Sequence, residues 1–207
     1  MQHFFITGIG TNIGKTLISS ILVEALEADY WKPVQAGNSP ETDSEYLKTV
    51  ISNKKTTIHP EAYLLKHPLS PHEAAAREQL HIKLEAINLP NTKNRLIIEG
   101  AGGLMVPLNE TTLLIDLIKK LTNNVILVVS NYLGSINHTL LTVEMLRLKK
   151  LTILGIIFNG ESNHSSENYI LNYTQLNCLG RVPFEKNITK AVIIKHGIQF
   201  KDLLKFE

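Results

Sequence analysis

The stretch Phe4-Phe5-Ile6-Thr7-Gly8-Ile9-Gly10-Thr11-Asn12-Ile13-Gly14-Lys15-Thr16 decides how the rest of the chain is read. A short, branched, charge-free run passes directly into glycines and then into a helical pattern over Lys15–Ala28. Glycines let backbone N–H groups turn inward around an anion, and a helix N-terminus adds partial positive charge at the same place. Lys15 is placed to reach terminal phosphates, and the Thr16 hydroxyl suits a magnesium ion. The loop has one more residue between Gly8 and Gly14 than the common phosphate-loop spacing. Strand, loop and helix occur in the required order, so the stretch predicts a site for a nucleoside triphosphate.

Outward from this loop the same grammar repeats. Leu96-Ile97-Ile98, Val125–Val129 and Ile153–Phe158 are further apolar runs, too short for helices and rich in branched residues. Such runs read as strands buried on both faces, the pattern of a parallel sheet. Helical patterns over Thr111–Leu121, Ser135–Lys149 and Ser166–Leu176 alternate with them. The expectation is an α/β fold: a doubly wound, mostly parallel sheet flanked by helices, like that of phosphate-loop NTPases. Tyr30–Val34 reads as another strand, which Pro33 would confine to an edge or a strand end. Gln35–Leu80 is polar and weakly periodic except for a helix near Glu41–Ile51, and so reads as a functional loop. No linker or repeat divides the chain, which is read as one domain over residues 1–207.

Composition narrows the function classes. The 207 residues carry 21 Lys+Arg against 19 Asp+Glu, a net charge of +2, so no broad basic footprint for nucleic acid is expected. Cys178 alone cannot close an internal disulfide or build a thiolate zinc site, which points to a reducing, cytoplasmic setting. No apolar run approaches the ~20 residues that span a bilayer, and the start of the chain lacks signal-peptide character.

Several other residues are suited to phosphate chemistry. Glu99 ends an apolar strand and precedes Gly100-Ala101-Gly102-Gly103, the usual placement of a second magnesium-binding group. Asp43 is a weaker candidate, because an Asp near a helix start is commonly a cap. Lys32 lies among large apolar residues, where an ammonium needs a partner. It reads either as a snorkelling surface residue or as a second cation beside Lys15, aimed at developing negative charge. Gly134-Ser135-Ile136-Asn137-His138 opens a helix with Ser135 as N-cap, and its N–H groups could hold a carboxylate. His138 has no neighbour in sequence to orient it as a base and is read as structural. Ser70-Pro71-His72 marks a helix start. Asn159-Gly160 is a turn or an amide that reads adenine. Ser130-Asn131-Tyr132-Leu133 is not a guanine-reading motif, so ATP is favoured.

In this order, these segments together with Lys32-Pro33-Val34 and Gly180-Arg181-Val182-Pro183 resemble the dethiobiotin synthetases, from the first strand to about Phe184. The resemblance implies an ATP-dependent cyclo-ligase of biotin biosynthesis. In such an enzyme 7,8-diaminononanoate captures CO2 as a carbamate, ATP phosphorylates it to a carbamic–phosphoric anhydride, and the second amine closes the ureido ring. It implies Thr11, Lys15 and Lys32 around the carbamate and γ-phosphate, and Thr16, Asp43 and Glu99 around Mg2+. Asn12, Ile13, Gly14, Lys15, Thr16 and Leu17 would cradle phosphates, with Gly100, Ala101 and Gly102 nearby. Asn159, Gly160, Pro183 and Phe184 would frame adenine. Lys32 and Ala36 would meet the substrate, whose carboxylate would sit on Gly134, Ser135, Ile136 and Asn137 of a partner subunit in a homodimer.

Two positions depart from the resemblance: Asn12 stands where Glu is frequent, and Ala36 where a hydroxyl residue is common. An ATP-driven switch protein and a related amidoligase are the alternatives. Gly10, at the position of the switch proteins' second lysine, argues against the first, and the length leaves no room for the glutaminase domain of the second. Lys32→Ala is expected to spare folding and nucleotide binding while cutting turnover by orders of magnitude.

Overall fold

The computed structural model describes residues 2–37 and 41–201; Met1, residues 38–40 of the polar segment and residues 202–207 lie outside that description. In chain order the elements are β1 (His3–Gly8), α1 (Lys15–Leu26), β2 (Asp29–Trp31), β3 (Val34–Ala36), α2 (Asp43–Val50), β4 (Ile58–His59), β5 (Tyr63–Leu65), α3 (Pro71–Arg77), β6 (Leu96–Glu99), α4 (Leu114–Leu121), β7 (Asn124–Ser130), α5 (Ser135–Leu148), β8 (Thr152–Asn159), α6 (His164–Thr174), β9 (Cys178–Val182) and α7 (Lys190–Phe200). A 3₁₀ turn spans Leu84–Ala86.

Seven strands form one sheet in the order β4-β2-β6-β1-β7-β8-β9, and every pairing in it is parallel. The expected doubly wound architecture is therefore the one observed, with β1 at its centre. Alternation along β1 shows how the layers are made: Phe4 and Ile6 join the core under α1, α2 and α7, while Phe5 joins the opposite core with α4. Val125 and Leu127 likewise face opposite to Ile126 and Val128. A strand buried on both sides has no polar face, which is why these runs carry no alternation of apolar and polar residues.

The strand read over Tyr30–Val34 divides. β2 ends at Trp31 and lies between β4 and β6, inside the sheet, whereas Val34 begins β3, which pairs with β5 in a small separate ribbon. Pro33 thus sits beyond a strand end rather than on an edge strand, where its missing N–H costs no ladder bond. The polar segment from Gln35 to Leu80 is not a plain loop; it contains the expected helix as α2, and also α3 and short strands.

Beyond Phe184, where the resemblance ends, α7 forms, N-capped by Thr189. It packs on α1 and buries Ile193 and Phe200 completely. Each fully buried apolar side chain of this size contributes about 1.5–3 kcal/mol, so α7 is part of the main core.

Candidate active site

In a parallel sheet all strand C-termini emerge along one edge, and the crevice outside them is where ligands bind. Here that edge carries a cavity of about 870 Å³ lined by Thr11, Asn12, Gly14, Lys15, Thr16, Lys32, Ala36, Asp43, Glu99, Ala101 and Gly102. Residues up to 91 positions apart are gathered because the loop after β1, the ends of β2 and β6, and the start of α2 all meet there. Gln35, the Pro68–Pro71 segment before α3, and Val106 complete the wall.

Gly14 supplies the turn into α1 in a left-handed conformation (φ 89°). A Cβ there would lie 2.1 Å from the Asn159 amide nitrogen, so any other residue would both strain the backbone and displace the Asn159 side chain. Lys15 is buried, and its Nζ donates to the Gly10 carbonyl at 2.8 Å. Burial, with a smaller contribution from Lys32, lowers its pKa to about 8 against the pull of Glu99 and Asp43. The ammonium closes its own loop and is held where a phosphate would satisfy it.

Lys32 is a buried cation and not a snorkelling surface residue. Its Nζ lies 3.2 Å from Glu99 Oε1 and pairs directly with Asp43 Oδ2. Burial opposes its charge, but the two carboxylates outweigh burial and raise its pKa. Asp43 is freed for this role because Thr42, not Asp43, caps α2: Thr42 Oγ1 accepts from Glu45 N and Glu45 returns the bond to Thr42 N. The convergence follows from register. Trp31 pairs with Ile98, so the next residues of the two parallel strands, Lys32 and Glu99, emerge side by side.

Glu99 is 1% exposed and both of its oxygens are engaged. Thr16 Oγ1 donates to Oε1 at 2.8 Å, and Tyr30 Oη donates to Oε2 at 2.9 Å. Burial first, then the neighbouring carboxylates, keep the Tyr30 phenol protonated far above its usual range. Tyr30 was missed in the sequence, although its spacing offered a signal: positions 30 and 32 fall on the same side of a strand. Gln35 was also missed; its Oε1 accepts weakly from Asp43 N at 3.4 Å.

The donor set suits Mg2+. Among the described residues no group of three His, Cys, Asp or Glu is clustered as a metal cage. A hydroxyl and two carboxylates around a phosphate loop are nevertheless hard oxygen donors of the kind magnesium shares with phosphate oxygens. The Lys32 ammonium lying between the two carboxylates marks where positive charge is stabilised.

Other expected residues occupy different places. Asn159 ends β8 and donates from Nδ2 to the Ile13 carbonyl at 2.9 Å, so it braces the phosphate loop from outside. Gly160 N donates to Val182 O, bringing the end of β8 to Pro183 and Phe184, and Phe184 is exposed. Leu17 packs against the core on α1, and Gly100 N donates to the Ile6 carbonyl at the same strand edge. Gly134, Ser135, Ile136 and Asn137 line a second hollow of about 890 Å³ that shares no lining residue with the first. The N-cap of α5 is Gly134 (φ 101°), not Ser135, which is buried within the first turn. His138 is not without an orienting neighbour: its Nδ1 meets the Tyr132 hydroxyl at 2.7 Å.

Fold and loop together define a protein of the phosphate-loop NTPase-like class. A family model described as an AAA domain matches residues 2–192. Among solved structures, the septum site-determining protein MinD complexed with Mg-ADP from Pyrococcus horikoshii superposes with a TM-score of 0.61 at 15% identity, covering 98% of this chain and 96% of that one. A plasmid partition protein from Borrelia burgdorferi gives 0.62 at 11% identity, with 99% and 98% covered. At such identities these likenesses concern the fold alone. Sequence relatives are more specific. The ATP-dependent dethiobiotin synthetase BioD of Cytophaga hutchinsonii is 51% identical over 98% of both chains, and that of Christiangramia forsetii is 43% identical over 98% of both. The chain belongs to the ATP-dependent dethiobiotin synthetase family.

Proposed function

We propose that this chain is an ATP-dependent cyclo-ligase that converts 7,8-diaminononanoate, CO2 and ATP to dethiobiotin, ADP and phosphate. The observation that carries the reading is the juxtaposition, in one cavity, of the Lys15–Thr16 phosphate loop with a buried Lys32 held between Asp43 and Glu99. No side-chain nucleophile is needed for such a reaction; positioning and charge neutralisation suffice.

One amine of the substrate captures CO2 and becomes a carbamate after losing a proton. The carbamate oxygen attacks the γ-phosphorus and ADP leaves. The second amine then attacks the carbamoyl carbon, phosphate departs taking up the proton that the amine loses, and the cyclic urea is closed. Lys15, the backbone of residues 12–17 and Thr11 bind and orient the phosphates. Lys32 faces the carbamate and neutralises the charge that builds on its oxygens. Thr16, Asp43 and Glu99 would hold Mg2+, which supplies further neutralisation of the phosphate oxygens when bound. Asn159, Gly160, Pro183 and Phe184 would frame the adenine.

We further infer a homodimer, a cytoplasmic setting and a single domain. The hollow at Gly134–Asn137 is separate from the phosphate-loop cavity, which supports its use by the substrate of a neighbouring copy. Leu141 and Leu148, two helical turns apart on α5, together with the fully exposed Leu133, offer an apolar surface for such a neighbour. Among the described residues no helix is long and apolar enough to cross a membrane. The test is phosphate release with Mg2+, ATP and bicarbonate. Release should require 7,8-diaminononanoate; release indifferent to the diamine would overturn the substrate assignment and leave only an ATPase.

A further inference from the structure

Glu99 is held from behind by a group that the roles above leave unused. Thr16 and Lys32, the donors to Oε1, both line the phosphate-loop cavity, whereas Tyr30, the donor to Oε2, does not. The Tyr30 ring is fully buried in the core with Phe4, Ile6 and Ile97, and its hydroxyl approaches Glu99 from beneath the cavity floor. A carboxylate's terminal torsion is soft, so donors to one oxygen alone do not fix its plane. A donor to the second oxygen from a rigid strand does. From this geometry we propose that Tyr30 is a positioning residue for the magnesium site, its hydroxyl fixing Glu99 Oε2 so that Oε1 is the oxygen presented to the cation.

The inference rests on the reading of Glu99 as a magnesium-binding residue. It assigns Tyr30 no contact with substrate or metal; it acts only through Glu99. A group that orients a metal-binding carboxylate typically changes metal affinity by about 10- to 100-fold when removed. If the hydroxyl merely satisfies its own hydrogen bond inside the core, its loss would lower stability and leave metal affinity alone.

The experiment reads Mn2+ binding to the enzyme–ADP complex by electron paramagnetic resonance, with a thermal melt to establish folding. Tyr30→Phe keeps the ring and removes the donor. The expected result is a rise in the Mn2+ Kd of about tenfold or more, with ADP affinity in the absence of metal changed by no more than about twofold. In a Glu99→Gln background, Tyr30→Phe should have no further effect, since the two act through one oxygen pair. A folded Tyr30→Phe protein with wild-type Mn2+ affinity, beside a Glu99→Gln protein that has lost it, would overturn the inference alone. Wild-type Mn2+ affinity in Glu99→Gln would instead sink the magnesium reading on which it stands. If the phenylalanine protein does not fold, Tyr30→Met, which fills the space flexibly, is measured with the same two outcomes.

Discussion

Lys32→Ala perturbs the site most directly, and its consequences can be worked out from the surrounding groups. The ammonium is buried between Asp43 and Glu99. Removing one member of a buried ion pair costs about 3–5 kcal/mol, because the charge left behind is uncompensated. The lower end applies here. The Asp43 side chain is 29% exposed and can turn to water, and Glu99 keeps its bonds from Thr16 and Tyr30. For a chain of this size about 3 kcal/mol corresponds to a fall in Tm of roughly 6–12 °C. The structure thus revises the sequence-based expectation that the substitution spares folding. Adding Mg2+ with ADP should narrow that gap, since positive charge returns to the same carboxylates. Turnover should fall about 10²- to 10³-fold or more, the usual loss when one preorganised charge stabiliser is removed. Differential scanning fluorimetry and diamine-dependent phosphate release measure the two effects separately. A Tm unchanged within about 2 °C would refute the buried-pair argument. Near-normal turnover would refute the role in neutralising the carbamate. A melting gap that ignores Mg2+ would mean that Asp43 and Glu99 do not face the metal.

The other predictions are simpler. With its pKa lowered to about 8 by burial, Lys15 is charged below that pH and neutral above it; ADP affinity measured by calorimetry should be flat below about pH 8 and then fall about tenfold per pH unit, with proton uptake on binding. A curve flat to pH 9.5 would count against a phosphate contact. Asn159→Ala removes the bond to the Ile13 carbonyl and should raise the ATP KM about 2- to 12-fold without moving the diamine KM; an equal rise in both would contradict a role confined to the nucleotide side. Asn137→Ala should raise the diamine KM far more than the ATP KM, and mixing it with Lys32→Ala subunits should restore some turnover if the two residues serve one site from different copies. No recovery in mixtures that exchange subunits would argue against a shared site.

What the sequence disclosed and what it concealed divide along one physical line. β1, β6, β7 and β8 were legible because strands buried on both faces consist of branched apolar residues, and the phosphate loop was legible because all of its parts are neighbours in the chain. β9 was concealed because Gly180 and Arg181 interrupt the apolar run; the arginine pairs with Glu167 on α6 and stacks over Phe158. Lys32 carried two readings that local sequence could not separate. Which one holds depends on β2 lying beside β6, and 64 residues separate the end of one strand from the start of the other. That adjacency and register set Lys32 against Glu99, and the Thr42 cap releases Asp43 to complete the cluster. Before any ligand arrives, therefore, the fold holds two carboxylates around an ammonium within reach of a phosphate loop. On the proposed reading, a metal–nucleotide complex binding there would exchange one set of charge partners for another rather than create a charged pocket from nothing. In the resting protein the cluster persists because the ammonium pairs with both carboxylates and Glu99 also accepts from Thr16 and Tyr30.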